Sequence, residues 1–542
     1  MSPTTGNAAS SLPLPDLLPL QTPQRINELL QNNISPLDSE LRELSTTATN
    51  LSQQCSGLDD DISAMQNSLD QLKRKRDALG AEVQKYQTVT SPVRRLPADV
   101  LCEIFQWNVE FDVSTLSFFD SLDIGEGPWL PSYVCRRWRE VALSFSKIWT
   151  SVSVKLPSFD VDNGKKATGS SFLLGLQLAR SATQFLGVRV EYHDFESKLN
   201  SYHPIIITLV PSSTRWKDFV ACMPSKAFHA LSPLSNILPN LRFADIRPLF
   251  RLAEGRALDI TPSRLHPISF LDGLPELREL QLADISNPSE SLSAFNWGIV
   301  RRIDLWKSNV ALLETTTPAL RMLLQRTTRV EEFFIEGVDV MDSVSDIGLS
   351  AVHLECLHSI GSYDSIHDTS VAGADIWSLT QAPKLDAITI VDEQWSLLSV
   401  TNMIERSDCR ITSLEIRLTD GFLSQHAHRF FEVMPHLTEF TISQRSDAEA
   451  VDAVVKMLTL RDTENGMHLP RLQKLFIEAE VFFEPSDLVE FICSRTLSPL
   501  ARGVHKLKEL VLSVNLPLHE SKDRMKLKRC VETGFTFING GV

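Results

Sequence analysis

The sequence predicts an α/β solenoid of irregular, leucine-rich-repeat-like units, preceded by a small all-α module and an N-terminal coiled-coil helix. Three observations support this fold class. Apolar residues recur at alternating steps of four and three between Leu37 and Tyr86, as in a coiled coil. Two short amphipathic segments follow within residues 96–149. The rest of the chain repeats the apolar spacing of leucine-rich-repeat strands.

Charge limits the partners that the chain can bind. The 542 residues carry a formal net charge of −15, which repels the phosphates of nucleic acids and of anionic membranes. With 43% hydrophobic residues, most of the length can bury a core. We therefore expect protein partners, with neither nucleic acid nor a membrane among them.

Cysteine spacing indicates the compartment. The eight cysteines form no CxxC pair, so we expect neither a disulfide framework nor a zinc site. This pattern is typical of a protein in a reducing compartment. No secretory signal and no apolar run of membrane-spanning length are visible. We expect a cytoplasmic protein, a nuclear protein, or one found in both compartments.

Residues 1–36 contain six prolines among small polar residues, a composition that predicts a disordered tail. Residues 37–87 then predict a coiled-coil helix. Leucine dominates the d positions of its heptads, and Arg76 is the one break in the apolar seam. Two interpretations remain open: the seam pairs with another helix, by self-association or by docking on a different coiled coil, or it folds back on its own chain.

Residues 92–150 predict a small helical module. Val100, Leu101, Ile104 and Phe105 share one apolar face after Pro97. A second helix repeats this pattern at Val134, Trp138, Val141, Ala142 and Phe145. Two short helices in about 50 residues cannot bury both faces by themselves. We therefore expect a partner surface to cover them.

The residues of this module resemble the F-box, and its long loop is similar to that of F-box proteins from mushroom-forming fungi. The resemblance rests on Leu96, Pro97, Asp99, Leu101, Ile104 and Phe105, on the VCRRWR run with Val134, Cys135, Arg137, Trp138 and Arg139, and on Trp149. The loop between the two halves is longer than in the family's common form.

The resemblance implies that the module binds the Skp-type adaptor of a cullin/RING (SCF-type) ubiquitin ligase. It places the following residues in or beside that interface: Leu96, Pro97, Val100, Leu101, Ile104, Val134, Cys135 and Trp138. The alternative is an ordinary helical hairpin packed on the solenoid. Cys102 and Cys135 are interpreted as small packing residues on the two helices.

Residues 151–542 predict the solenoid. Clear copies of the strand motif start at Leu277, Leu385, Leu437, Leu472 and Leu507, and weaker copies start at Trp149, Phe185, Trp216, Leu241, Val300, Val330, Leu354 and Ile411. Each unit leaves an apolar flank that its neighbour covers. The asparagine that usually follows the strand survives only at Asn515, so the carbonyls it would satisfy need other donors or water.

Side chains alternate along a strand, so the residues between the apolar anchors face the opposite side. This projection predicts a target-binding surface that includes Trp306, Phe334 and Phe476 among charged residues. The alternative is that these rings pack under a neighbouring loop.

The sequence contains no Gly-rich phosphate loop, no GxSxG, no HExxH and no metal-spaced Cys/His cluster. We expect no catalytic residues, metal or cofactor. The leading hypothesis is a non-catalytic substrate receptor for ubiquitylation, with a target that the sequence does not identify. The alternative is a coiled-coil and solenoid scaffold without ubiquitin transfer, and a hydrolase is a third hypothesis that no local motif supports.

Overall fold

The fold is described from a computed structural model of the chain. The structure describes residues 23–33, 35–109, 119–156, 164–192, 204–235, 237–249, 268–283, 288–292, 294–306, 314–336, 339–341, 350–363, 376–391, 396–418, 427–444, 448–460, 468–479, 485–497, 503–513 and 521–540. The chain divides into two compact units, Met1–Pro97 and Ala98–Val542.

The N-terminal unit is helical. It contains α1 (Pro23–Asn32), α2 (Asp38–Thr90) and a short 3₁₀ helix at Pro92–Arg95. Helix α2 has 53 residues, none of them buried, so the long helix predicted from residue 37 is present and extends to Thr90. Helix α1 differs from the disordered tail predicted for residues 1–36, because Pro23 takes the first helical position, where its missing N–H is not needed. The rest of that tail lies largely outside the described residues.

The C-terminal unit combines helices and strands. Its helices are α3 (Ala98–Trp107), α4 (Pro131–Val134), α5 (Arg136–Ser144), α6 (Gly164–Arg180), α7 (Pro204–Leu209), α8 (Pro288–Ser291), α9 (Thr317–Arg326), α10 (Ile376–Leu379), α11 (Ser396–Ser407), α12 (Ala427–Glu432), α13 (Ala448–Leu458), α14 (Pro485–Thr496) and α15 (Ser521–Glu532). Short 3₁₀ helices lie at Gly127–Trp129, Ser146–Trp149, Val210–Arg215, Ser225–Leu234, Ser269–Leu271 and Trp297–Ile299.

The strands are β1 (Ser151–Leu156), β2 (Leu186–Tyr192), β3 (Trp216–Pro224), β4 (Phe243–Leu249), β5 (Glu279–Ala283), β6 (Arg302–Trp306), β7 (Glu314–Thr316), β8 (Glu332–Glu336), β9 (Asp339–Met341), β10 (Val352–His353), β11 (Ser359–Tyr363), β12 (Thr380–Gln381), β13 (Ala387–Val391), β14 (Ser413–Leu418), β15 (Glu439–Gln444), β16 (Lys474–Ala479), β17 (Glu509–Leu512) and β18 (Thr536–Asn539).

Among the described residues, fourteen strands form one parallel sheet in the order β1-β2-β3-β4-β5-β6-β8-β11-β13-β14-β15-β16-β17-β18. Two further parallel pairs, β7 with β9 and β10 with β12, lie apart from it. The order in the sheet follows the order in the chain, so each inner strand of this sheet lies between the sheet strands that precede and follow it in the sequence. The α/β arrangement predicted from the sequence is therefore confirmed.

The register of the sheet tests each predicted copy of the motif. The second residue after a motif start pairs with its equivalent in the next copy, as Glu279 pairs with Arg302. The start predicted at Leu354 was wrong by three residues, because Ser359 pairs with Ala387, so the start is Leu357. Leu354 and Leu357 are both buried leucines. Apolar spacing alone therefore does not show at which of the two the motif starts. Strand β18 was missed.

Strands β1 and β2 are buried on both faces, whereas in the middle of the sheet the core lies on one face. Along β6, Ile303 and Leu305 are buried, whereas Arg302, Asp304 and Trp306 are only partly covered. The same alternation recurs in β5 and β8, as expected for side chains that point to opposite faces in turn. The buried hydrophobic residues of the strands from β1 to β17 and of the helices between them form one cluster.

Main-chain hydrogen bonds link neighbouring strands where each begins. The carbonyl of Arg242 accepts from the N–H groups of Arg278 and Glu279, with N···O distances of 2.8 and 3.0 Å. The same pair of bonds recurs at the carbonyls of Arg278, Arg301, Glu331, His358, Asp386, Thr412, Thr438 and Gln473. We name this series the main-chain ladder. It needs no particular side chain, because donors and acceptors all belong to the backbone.

Arginines near helix ends donate to carbonyls of the segment that comes before the preceding strand of the large sheet. The fully buried Arg495 donates to the carbonyls of Leu458 (2.9 and 3.0 Å), Leu469 (2.8 Å) and His468 (2.7 Å). Arg406 donates similarly to the carbonyls of Trp377, Ser378 and Thr380. Burial lowers the pKa of Arg495 to about 10. Arginine side chains therefore supply donors to carbonyls between the strands. Asn515 lies outside the described residues.

Candidate functional site

An open apolar cleft of about 440 Å³ lies between α3, α4 and the start of α5. It is lined by Ile104, Phe105, Trp107, Asn108, Leu130, Pro131, Val134 and Trp138. The cleft exists because α3 carries apolar residues on two sides. Leu101 and Phe105 point inward and are buried, whereas Val100 and Ile104 are exposed.

The inward side packs within the module, and Trp149 at its base contacts α6. Phe105 packs on Trp138 with ring centroids 5.0 Å apart. Trp149 donates from Nε1 to the Ala142 carbonyl at 2.8 Å, and the guanidinium of Arg180 lies 4.6 Å from the Trp149 ring centroid. The helices are therefore held by a packed base, which fixes the shape of the cleft.

The outward side is an apolar patch, which we call the cleft face. It comprises Val100, Ile104, Trp107, Leu130, Tyr133 and Val134, with exposed fractions from 37% to 77%. Among the described residues of the C-terminal unit, eight of the seventeen exposed large hydrophobic side chains fall between Val100 and Leu143. A concentration of this kind marks an interaction surface more often than scattered single residues do.

The structure brings together some of the residues that the family resemblance implied. Ile104, Val134 and Trp138 line the cleft, and Val100 lies on the cleft face. Leu101, which was predicted in or beside the interface, is 0% exposed and belongs to the core under α3, so it lies beneath the cleft and does not line it.

Three further predicted residues lie elsewhere or act differently. Cys135 is exposed and caps α5, its Sγ accepting from the Trp138 N–H at 3.5 Å, so it is not the packing residue that we expected. Leu96 is half-buried and Pro97 is exposed, and both belong to the N-terminal unit. Helix α3 begins one residue after Pro97.

Sequence reasoning missed Trp107, which at 77% exposed is the most exposed member of the cleft face. Its spacing of seven from Val100 and three from Ile104 continues the outward stripe of α3, so the helical period contained the signal. Leu130 and Pro131 lie between the two halves of the module, where no periodic pattern identifies them.

The described part of the long loop packs on the edge of the sheet. The Ser121 N–H donates to the Ser153 carbonyl at 2.7 Å, and the Ser153 N–H donates to Ser121 Oγ at 3.0 Å. Burial raises the pKa of the Asp120 carboxyl, even though it accepts from the Leu122 N–H. This part of the loop, residues 119–126, therefore covers strand β1 and contributes no lining to the cleft.

A second candidate surface lies on the face of the sheet opposite the core. The guanidinium of Arg247 forms an ion pair with the buried Asp245 and lies 4.8 Å from the Trp306 ring centroid. The Arg247 side chain passes over β5 at the small residue Ala283, which pairs with Trp306 in the sheet. The stack leaves Trp306 partly exposed.

A similar stack forms on the next two strands. Arg302 lies 5.2 Å from the Phe334 ring centroid and donates to Asp304 (3.3 Å) and to Glu332 (2.9 Å). Burial raises the pKa of the Asp304 carboxyl, which Arg302 counteracts. Phe334 lies over Gly361, where an added Cβ would be only 2.5 Å from Phe334 Cδ1. We name the two stacks together the arginine–aromatic cluster.

The third predicted target residue stands apart. Phe476 lies on β16, five strand spacings from β8 in the sheet, or about 24 Å from Phe334. Trp306 and Phe334 therefore share a surface that excludes Phe476. The sequence did not identify Arg247 and Asp245 as part of this surface, although their alternation along β4 places them on the same face.

The chain matches no family model, and no curated protein shows significant similarity to it. Within the described ranges, no group of three or more His, Cys, Asp or Glu side chains is arranged to hold a metal ion. No described helix combines the length and apolar character that crossing a membrane requires.

Proposed function

We propose that the chain is a non-catalytic substrate-recognition adaptor of a cullin/RING ubiquitin ligase. In this proposal residues 92–150 are an F-box that binds a Skp-type adaptor, and the sheet and its helices are a leucine-rich-repeat-like solenoid that binds a protein target. Catalysis then belongs to other subunits, and the chain acts by raising the effective concentration of target lysines near activated ubiquitin.

The observation that carries the proposal is the two-sided burial of α3. Its inner side is sealed by the chain itself, whereas Val100, Ile104 and Trp107 remain exposed beside Val134. Covering one such side chain completely contributes roughly 1.5–3 kcal/mol. A helical partner that fills the cleft would gain this free energy from several residues at once. Because the packed core under α3 already holds these helices in place, little conformational entropy would be lost on binding.

The repeat interpretation is supported by the order and register of the strands. Fourteen described strands follow the chain order with equivalent residues paired. Units related in this way contact only their neighbours. The surface that such an array offers is long, and the arginine–aromatic cluster supplies the aromatic and arginine side chains that dominate protein-binding hot spots.

A retention experiment tests the docking half. Full-length chain is immobilised and offered a purified Skp-type adaptor, with Ile104→Glu as the test variant and Leu143→Glu as the matched control. Ile104 lines the cleft and is 43% exposed, whereas Leu143 is 42% exposed outside it. We expect Ile104→Glu to weaken retention at least tenfold and Leu143→Glu to leave it unchanged. A wild-type chain that retains no adaptor would sink the proposal.

That failure would favour the scaffold alternative. The specific observation behind this alternative is the exposed apolar seam of α2, which can assemble proteins without any ligase. Affinity purification with the proteasome blocked separates the two functions, because an adaptor co-purifies with cullin subunits and a scaffold does not.

The same purification tests the target surface. We expect Trp306→Ala to reduce capture of the target while the Skp-type adaptor is retained in full. Phe476→Ala serves as the comparison, since Phe476 lies outside the arginine–aromatic cluster. Equal target loss in both variants would show that the cluster is not the recognition surface.

A further inference from the structure

Helix α2 exposes a long apolar seam. From Leu51 to Tyr86, its large seam residues are between 43% and 69% exposed: Leu51, Leu58, Ile62, Met65, Leu69, Leu72, Leu79, Val83 and Tyr86. A line of leucines of this length, repeating every 3.5 residues, is stable in water when a second helix covers it. The distribution of charge along α2 indicates what that second helix is.

Two clusters of opposite charge lie at equivalent heptad positions. Asp59, Asp60 and Asp61 occupy positions e, f and g, and two heptads later Lys73, Arg74 and Lys75 occupy the same positions. Positions e and g flank the seam and face the partner helix. The midpoint between the clusters is Asn67.

We propose that two copies of this chain pair through α2 as an antiparallel coiled coil centred on Asn67. A turn by 180° about that point brings each acidic cluster beside the basic cluster of the other copy. The seam then also closes, because residues whose numbers sum to 134 face each other in a and d layers: Leu69 faces Met65, Ile62 faces Leu72, and Cys55 faces Leu79 of the second copy.

A parallel pair in register is disfavoured by the same charges. It places Asp59–Asp61 beside the identical segment of the other copy and sets Arg76 against Arg76 in one a layer. In the antiparallel pair Arg76 faces Leu58 of the second copy and lies next to its Asp59. Arg76, which forms an ion pair with Asp77 of its own chain, therefore gains a second acidic neighbour, and a single polar a position of this kind specifies register.

Cys55 gives a direct test of orientation in the full-length chain. In the antiparallel pair the two Cys55 residues are 24 residues apart along the axis, or about 36 Å, too far for a disulfide. Wild type should therefore form no Cys55–Cys55 link under mild oxidation. Leu79→Cys should link to Cys55 of the second copy, with the peptide pair identified by mass spectrometry.

Leu72→Cys is the matched control, because it adds a cysteine at another d position that faces Ile62 and should not link to Cys55. A Cys55–Cys55 disulfide between chains, or in this control a disulfide between the two introduced thiols, would show a parallel pair and overturn the proposal. So would sedimentation of the full-length chain as a monomer at tens of micromolar.

A charge exchange tests the pairing independently of cysteine chemistry. The variant Asp59→Lys, Asp61→Lys, Lys73→Glu, Lys75→Glu keeps all four antiparallel pairs attractive with itself and makes all four repulsive with wild type. Co-purification of differently tagged chains should therefore give self-pairs of normal strength and at least tenfold less mixed pair. A parallel pair predicts the reverse, and preferred mixing would contradict the proposal. The outcome does not depend on the proposed adaptor role.

Discussion

Helix α2 and the strand-bearing unit use leucine in the same regular way with opposite results. No residue of α2 is buried, whereas the first leucines of the clear repeat copies are at most 2% exposed. The difference lies in the period. Apolar residues with a period of 3.5 form one stripe along a helix, and a second helix is needed to cover that stripe. A period of 23 to 36 residues returns the chain to the sheet with a new strand each time, and neighbouring copies cover each other's leucines.

The largest expected effect is on the stability of the C-terminal unit. Arg495→Leu removes four hydrogen bonds to three carbonyls of buried residues. Leaving these carbonyls without donors should lower the free energy of unfolding by about 3–5 kcal/mol. The midpoint of urea unfolding, followed by tryptophan fluorescence, measures the loss, which should not depend on protein concentration.

Arg406→Leu is the control for that prediction. Arg406 also donates to three carbonyls, but its side chain reaches the surface, where water replaces the lost donors. We expect a loss of about 1 kcal/mol. Equal losses at the two positions would mean that burial does not set the strength of these contacts.

An intermediate effect is expected on the outer face of the sheet. Gly361→Ala places a methyl group against the Phe334 ring, so the ring must shift at a cost of about 1–3 kcal/mol. The same substitution in a Phe334→Ala background should cost much less, because the Thr389 Cβ at 3.3 Å is then the remaining close neighbour of the added methyl group. A double-mutant cycle on unfolding midpoints measures this coupling. Additive effects would contradict the packing of Phe334 over Gly361.

The smallest effect belongs to α2. Gly57 and Gly80 have nothing within 4 Å of an added Cβ, so replacing each with alanine should stabilise the helix by about 1 kcal/mol. Circular dichroism should show a higher melting temperature for α2, with a midpoint that rises with protein concentration if two copies pair.

Gly534 is the control for this last prediction. It also has open space around it, but its φ is +94°, a conformation that costs alanine about 1 kcal/mol. Gly534→Ala should therefore destabilise the chain. A shift of the same sign at Gly57 and Gly534 would show that local backbone conformation does not decide the outcome.

Periodic features were predictable from sequence. The α2 helix and all but one of the predicted strand starts follow from apolar spacing alone, because that spacing is what a neighbouring element buries. The frame at Leu357 was not predictable, since Leu354 offers the same spacing three residues earlier. Strand β18 was missed because Gly534 stands where the motif has its first apolar residue.

The candidate surfaces were predictable only in part. Ile104 and Val134 follow from helical spacing, and so does Trp107 once the second stripe of α3 is considered. The buried state of Leu101 depends on the packing of α3 against α5 and against the 3₁₀ helix at Ser146–Trp149, which are distant in sequence. The arginine–aromatic cluster joins β4 to β6 and β6 to β8, and no local pattern reports contacts across strands.

The main-chain ladder has an evolutionary consequence. Arg301, Glu331, His358 and Asp386 occupy equivalent positions in successive units and differ in charge, yet their carbonyls accept the same pair of N–H groups. Substitution along this row therefore leaves the cross-links intact. Charge along the row can therefore change at one position at a time without loss of a main-chain hydrogen bond, although a change at Arg301 or Glu331 also removes the ion pair between them.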